Sequence, residues 1–279
     1  MPPVEPTVRT RASESAKSVL LTVLGEFVLP GGGEAWTGTL VDALGALDFG
    51  DGNARQALAR LGDDGVVEAE RHGRKTRWRI TGDGDRLLRS GAERIYRFGT
   101  RPAPWNRRWL VVICSIPESQ REKRRPFQTQ LAFAGFGFVS PTVAVSPDTT
   151  AEAEANRVLE ALGLADTALV LVAETGQLTP DADLLTRSWD LEALGAAYDE
   201  FVERFGDRRP VGPEESFRDL TRLVHAWRQF PFADPGLPAE LLPAGWSGKV
   251  ARHLFDDART AWSDEAVGHY KALEAGHDG

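Results

Sequence analysis

NARQALARLGDDGVVEAERHGRKTRWRIT, residues 53–81, changes periodicity halfway along, and that change decides the fold. In its first half Ala54, Ala57, Leu58 and Leu61 recur at i, i+3, i+4 and i+7, the spacing of one apolar stripe on a helix. After Gly65 the period drops to two. Val67 and Ala69 alternate with Glu68 and Glu70, then Trp78 and Ile80 alternate with Arg77, Arg79 and Thr81. A turn near His72-Gly73 separates the two runs. The stretch therefore predicts a short helix over residues 52–61, capped by Asp51, followed by a β-hairpin. The inward stripe leaves Asn53, Arg55, Gln56 and Arg60 outside. Their amide and guanidinium groups are those that pair with adenine and guanine edges in a major groove. The hairpin carries Arg71, Arg74, Lys75, Arg77 and Arg79.

Two helices precede this stretch. Ala16, Val19, Leu20, Val23 and Phe27 share one face of a helix that starts at Ser15 and stops at Pro30 and the Gly31–Gly33 run. Thr37 is placed to cap a second helix with Leu40, Val41, Leu44 and Leu47 inward. Three helices followed by a basic hairpin predict a winged helix-turn-helix over residues 15–100, its third helix being the recognition element. Residues 1–14 are expected to form a disordered arm. Other readings stay open. Glu68 and Glu70 can pair with Arg77 and Arg79 across the strands, and three helices plus a hairpin also build protein-interaction modules.

Charge divides along the chain. The net charge of −8 argues against nucleic acid, yet residues 1–130 carry 21 Lys+Arg against 16 Asp+Glu. Residues 131–279 carry 12 against 25, so the second half is expected to stay away from phosphates. The first apolar run, Val19 to Leu24, is too short for a membrane span, and the expectation is a soluble cytoplasmic protein. Cys114 is the only cysteine, which leaves no internal disulfide.

Leu87, Leu88, Ala92, Ile95 and Tyr96 predict a further helix, and Pro102 and Pro104 a linker. Residues 101–180 then read as a small ferredoxin-like α/β domain. A buried strand in WLVVICSIPE (109–118) leads to a helix with Phe127, Leu131 and Ala134 inward. GFGFVSPTVAVSP (135–147) reads as one strand interrupted by Pro141, a helix spans 151–163, and ALVLVAE (168–174) reads as another buried strand. Domains of this pattern include metal-dependent nucleases of the CRISPR-associated kind, which hold a cation with an aspartate at the end of the first strand. Here Ser115 stands at that place, a poor ligand for a hard cation. Glu118 and Glu122 follow with no second acid at a suitable spacing. A nuclease is the enzymatic alternative; no catalytic residue, metal ligand or cofactor is assigned.

Residues 181–279 predict a mainly helical domain. Leu191, Leu194, Tyr198, Phe201 and Phe205 form one stripe, and Phe217, Leu220, Val224 and Trp227 a second. Trp246, Val250, Leu254 and Trp262 belong to a last helical region. The aromatics read as core. Trp227 with Arg222 and Arg228 also reads as a cradle for an acyl or aryl ligand with a charged tail. Arg107, Arg108 and Arg124 are candidates for its phosphates. P-loop and nucleophile-elbow motifs are absent, and His72, His225, His253, His269 and His277 show no zinc spacing.

The helix-and-hairpin stretch at 53–81, the central run 109–147, WDLEAL (189–194) and ADPGLPAELLPAGWSG (233–248) together resemble the PaaX family, repressors of bacterial phenylacetate-degradation operons. Arg55, Arg60, Leu61 and Gly65 fall where that family's helix carries arginines, a leucine and a closing glycine. The resemblance runs from about Ser15 to about Leu273. It implies a homodimeric repressor that binds an inverted-repeat operator in double-stranded DNA and is released by an acyl-CoA thioester, typically phenylacetyl-CoA. Gly50, Asp51 and Gly52 depart from the family, whose members more often place helix-favouring or polar residues before the recognition helix.

Overall fold

The computed structural model describes residues 15–99 and 104–278; the expected N-terminal arm and Pro102 lie outside the described residues. The chain is mixed α+β, with two antiparallel sheets. Its described residues divide into two compact units, neither continuous in sequence. One collects residues 15–97, 199–229 and 249–278, the other 98–99, 104–198 and 230–248. The expected third segment, 181–279, thus contributes to both.

In the first unit α1 (Ala16–Val23) starts at Ser15, whose hydroxyl accepts from the Ser18 N–H at 3.2 Å. A π-helical turn, Leu24–Val28, extends it and keeps Phe27 in the core. α2 (Thr37–Gly45) and α3 (Asp51–Asp63) pack beside it with the expected apolar positions buried: Leu40, Val41 and Leu44 with Leu47 beyond, then Ala54, Ala57, Leu58 and Leu61. α3 ends at Gly65, whose φ of 71° suits glycine, and the Val66 N–H reaches back to the Leu61 carbonyl at 2.9 Å. β2 (Val67–His72) and β3 (Lys75–Ile80) form the expected hairpin. A third strand, β1 (Glu34–Trp36), joins β3 with Ala35 opposite Trp78 and gives the order β1-β3-β2. α4 (Gly82–Arg97) follows, burying Leu88 while Leu87 stays exposed.

Thr37 does not cap α2. It is the first helical residue, and its hydroxyl donates to the Thr76 carbonyl at 3.1 Å while accepting from the Trp78 indole N–H at 2.9 Å. It ties the hairpin to α2. Thr37→Val, nearly isosteric, strands that indole donor and is expected to destabilise the unit by about 1–2 kcal/mol, read from its urea midpoint.

Helices from the far end of the chain complete this core. α8 (Leu191–Phe205) gives it Phe201 and Phe205, and α9 (Pro213–Trp227) gives it Phe217, Leu220, Leu223, Val224 and Trp227. A short helix α10 (Phe230–Ala233) belongs to the other unit; α11 (Gly248–Ala275) supplies the rest. Phe27 lies 4.9 Å from Phe217 and 5.4 Å from Tyr270, centroid to centroid. The buried stripe of α11 is Ala251, Phe255, Ala258, Trp262, Ala266 and Tyr270, so the expected Val250 and Leu254 sit one position off it and Val250 is exposed. Small alanines carry half of the true stripe, and the eye follows the larger side chains instead.

The second unit contains β4 (Trp109–Cys114), α5 (Arg124–Phe133), β5 (Gly137–Ser140), β6 (Val143–Ser146), α6 (Glu152–Ala161) and β7 (Ala168–Ala173). The sheet order β5-β6-β4-β7, antiparallel throughout, is a split βαβ arrangement. Leu110, Val112 and Cys114 meet Phe127, Leu131, Val158 and Leu159 in its core. Pro141 does not interrupt one strand: it sits in the turn between two, where the missing N–H costs no ladder bond. β7 is an edge strand with Leu169 and Val172 exposed, not a buried one. α7 (Asp181–Ser188) brings Asp181 within 2.8 Å of the Trp109 indole nitrogen, which donates to it. Tyr198 stacks on Phe230 at 4.1 Å and donates to Asp234 at 2.6 Å; burial pushes the Asp234 carboxyl up, and the Tyr198 and Gly236 hydrogen bonds oppose that.

Candidate nucleic-acid interface

α3 opens at Gly50 without a side-chain cap, and Asp51 lies in its first turn where the helix dipole favours an acid. Asn53, Arg55, Gln56 and Arg60 are all exposed, and none has a side-chain hydrogen bond or ion pair among the described residues. From Asn53 to Arg60 the helix advances about 10 Å at 1.5 Å per residue, the axial reach of about three base pairs. The buried alanines and leucines behind them fix the helix without using these side chains.

The hairpin divides its cations. Arg71 and Arg74 are exposed and unpaired among the described residues. Arg79 pairs with Glu68 at 3.0 Å, as the cross-strand reading allowed. Arg77 pairs instead with Glu34 of β1 at 3.2 Å and lies 5.4 Å above the Trp36 ring. Lys75 donates to the His277 carbonyl at 2.8 Å. The Trp78 ring packs against Gly62, leaving no slack between hairpin and α3: a Cβ at Gly62 would lie 3.3 Å from it. Lys17 and Asp64 form an ion pair between α1 and the end of α3.

The six ligand candidates divide between the two units. Arg107, Arg108 and Arg124 belong to one unit and Arg222, Trp227 and Arg228 to the other. Arg108 pairs with Glu174 at 3.4 Å, Arg124 with Glu118 at 2.7 Å, and Arg107 lies 5.9 Å over Trp105. Arg222 reaches Asp48. Arg228 donates to the Ser18 carbonyl at 2.9 Å and to Thr22 Oγ1 at 3.1 Å; burial lowers its pKa. Trp227 is fully buried, stacked on Phe255 at 4.7 Å, and its indole N–H donates to the Ile95 carbonyl at 3.3 Å. These last three residues hold α9 in place.

Sequence reasoning missed a second buried polar site in the same unit. Glu26, in the π-helical turn, accepts from the Tyr96 hydroxyl and lies 3.6 Å from Arg259. Burial pushes its carboxyl up, opposed by the Tyr96 hydrogen bond and by Arg259. The Arg259 guanidinium lies 4.2 Å over the Tyr96 ring. Nothing local in the sequence joins residues so far apart.

Ser115 follows β4 as expected, and among the described residues no group of three or more His, Cys, Asp or Glu is placed to hold a metal ion. Among them, too, no helix is long and apolar enough to cross a membrane.

Three family matches lie end to end along the chain. Residues 15–84 match the PaaX-like protein family, 102–185 the PaaX protein central Cas2-like domain, and 189–272 the PaaX-like protein C-terminal domain. The chain is 31% identical over 251 residues to the transcriptional repressor PaaX of Escherichia coli (strain K12), covering 86% of this chain and 78% of that protein. Among solved structures it is similar to the uncharacterized protein Rv0674 from Mycobacterium tuberculosis. The TM-score is 0.62 at 22% identity, over 93% of this chain and 98% of the other, a likeness of fold.

Proposed function

The chain belongs to the PaaX family, and on that premise we propose that it is a transcriptional repressor whose N-terminal helices and hairpin act as a winged helix-turn-helix. The observation that carries this reading is α3. It presents Asn53, Arg55, Gln56 and Arg60 outward, unpartnered, on a helix whose inner face is locked. The hairpin beside it supplies phosphate contacts, chiefly through Arg71 and Arg74. The repressor works in the cytoplasm as a homodimer held by segments after residue 100, so that two recognition helices read an inverted repeat about 34 Å apart or a multiple of that. An acyl-CoA thioester, most simply an aromatic one, releases it, as the family resemblance implies. Release by a factor of 100 requires about 2.7 kcal/mol of difference in ligand affinity between the DNA-bound and released forms.

Selection of duplex fragments with the purified protein, followed by gel retardation with and without phenylacetyl-CoA, tests the proposal. A retarded intact duplex released by the thioester, and not by free CoA, is expected. Shortened product in Mg²⁺ would mean a nuclease. On the selected duplex, Arg71→Ala with Arg74→Ala should reduce the slope of log K against log salt by roughly two units for each protomer, or about four for the dimer. An unchanged slope removes the hairpin from the interface.

A further inference from the structure

The segment that follows α11 folds back onto the hairpin side of its own unit. Its two acceptor oxygens sit on two donors: the His277 carbonyl takes Lys75 Nζ at 2.8 Å, and Asp278 Oδ1 takes the Trp36 indole N–H at 2.7 Å. The His277 ring is fixed as well, with Nε2 2.7 Å from Asp42 Oδ2 on α2. It packs against Gly38, where a Cβ would collide with the ring, so a larger residue there would have to displace it. Lys75 and Arg77 both lie over the Trp36 ring, at 5.7 and 5.4 Å. An ammonium and an indole N–H, flanked by a guanidinium near the turn end of a basic hairpin, form a donor set suited to a DNA phosphate oxygen. In the free protein a carboxylate and a carbonyl from the same chain fill it.

We propose that residues 276–278 act as a phosphate mimic in cis, covering part of the DNA-binding surface until DNA displaces them. The proposal rests on the DNA-binding reading above. Each contact is exposed and hence weak, which suits a segment that must be displaced by a polyanion and not one that blocks binding outright. Lys75 thereby has two alternative acceptors, the His277 carbonyl and a DNA phosphate. Its contribution to DNA affinity depends on whether the segment is present.

The test compares the full chain with one lacking residues 276–279, on the same selected duplex, across a salt series. Removal is expected to tighten binding roughly 3- to 10-fold, the yield of one or two exposed polar contacts. It should also steepen the salt slope by about one unit for each protomer as Lys75 becomes available to a phosphate. Lys75→Ala should cost little in the intact chain and most of the gain in the shortened one, so the two changes are not additive. Asp278→Asn, which keeps every residue of the fold, should recover part of the tightening. Equal or weaker binding by a shortened chain with unchanged thermal melting, or strict additivity with Lys75→Ala, overturns the proposal and leaves the repressor reading standing. Failure of both intact and shortened chains to retard any duplex overturns both.

Discussion

Trp227→Ala is expected to lower the stability of the unit that carries α3 by about 3–5 kcal/mol, the usual cost of emptying a buried tryptophan site. The indole is fully buried, stacked on Phe255 and 5.4 Å from Phe201. Its removal also strands the Ile95 carbonyl on α4 and takes away the ring under the Arg252 guanidinium, 5.8 Å from it. Trp227→Phe refills most of the volume and should retain more than half of that stability. Urea unfolding followed by circular dichroism reads both. If Trp227 grips an effector instead, Trp227→Ala will leave the urea midpoint in place and change only the response to the thioester.

Arg55→Ala should cost about 1–3 kcal/mol for each half-site, or about 2–6 kcal/mol on a two-fold operator, and erase the preference at one base position. Arg55 is exposed, and no intramolecular pair has to be broken before it can reach a guanine edge. The fold should be untouched, since Ala54, Ala57 and Leu58 hold the helix from behind. Competition between the selected operator and random duplex decides the matter: an equal loss on both makes Arg55 a phosphate contact and removes it from base recognition.

Much of this arrangement was legible in local pattern. The stripe on α3, the hairpin behind it and the outward face between them follow from a period that changes at Gly65. The short strand β1 was not legible, because three residues after a glycine run show no alternation; its place is fixed by partners on β3. ALVLVAE looks like any buried strand, and only the sheet order puts it at an edge with Leu169 and Val172 uncovered. The stripe of α11 runs through alanines that pattern reading passes over. Arg222 and Arg228 look like free cations beside a tryptophan until their partners Asp48, Ser18 and Thr22 are seen, about 175 to 210 residues away. Pairing at that separation leaves no trace in a single sequence. For the same reason the hairpin's five cations look equivalent, although Lys75, Arg77 and Arg79 already have partners within the chain.

The discontinuity of the first unit sets a timetable for its synthesis. Phe27, in the π-helical turn that extends α1, is closed in by Phe217 and Tyr270, so α1, α2 and α3 emerge from the ribosome long before their core can close. At about 5–20 residues per second, α11 follows Arg97 by roughly 10–35 s. During that interval the nascent chain exposes an apolar surface. A chain released before α11 is made keeps that apolar surface exposed, with Phe27 left without Phe217 or Tyr270, or both, over it.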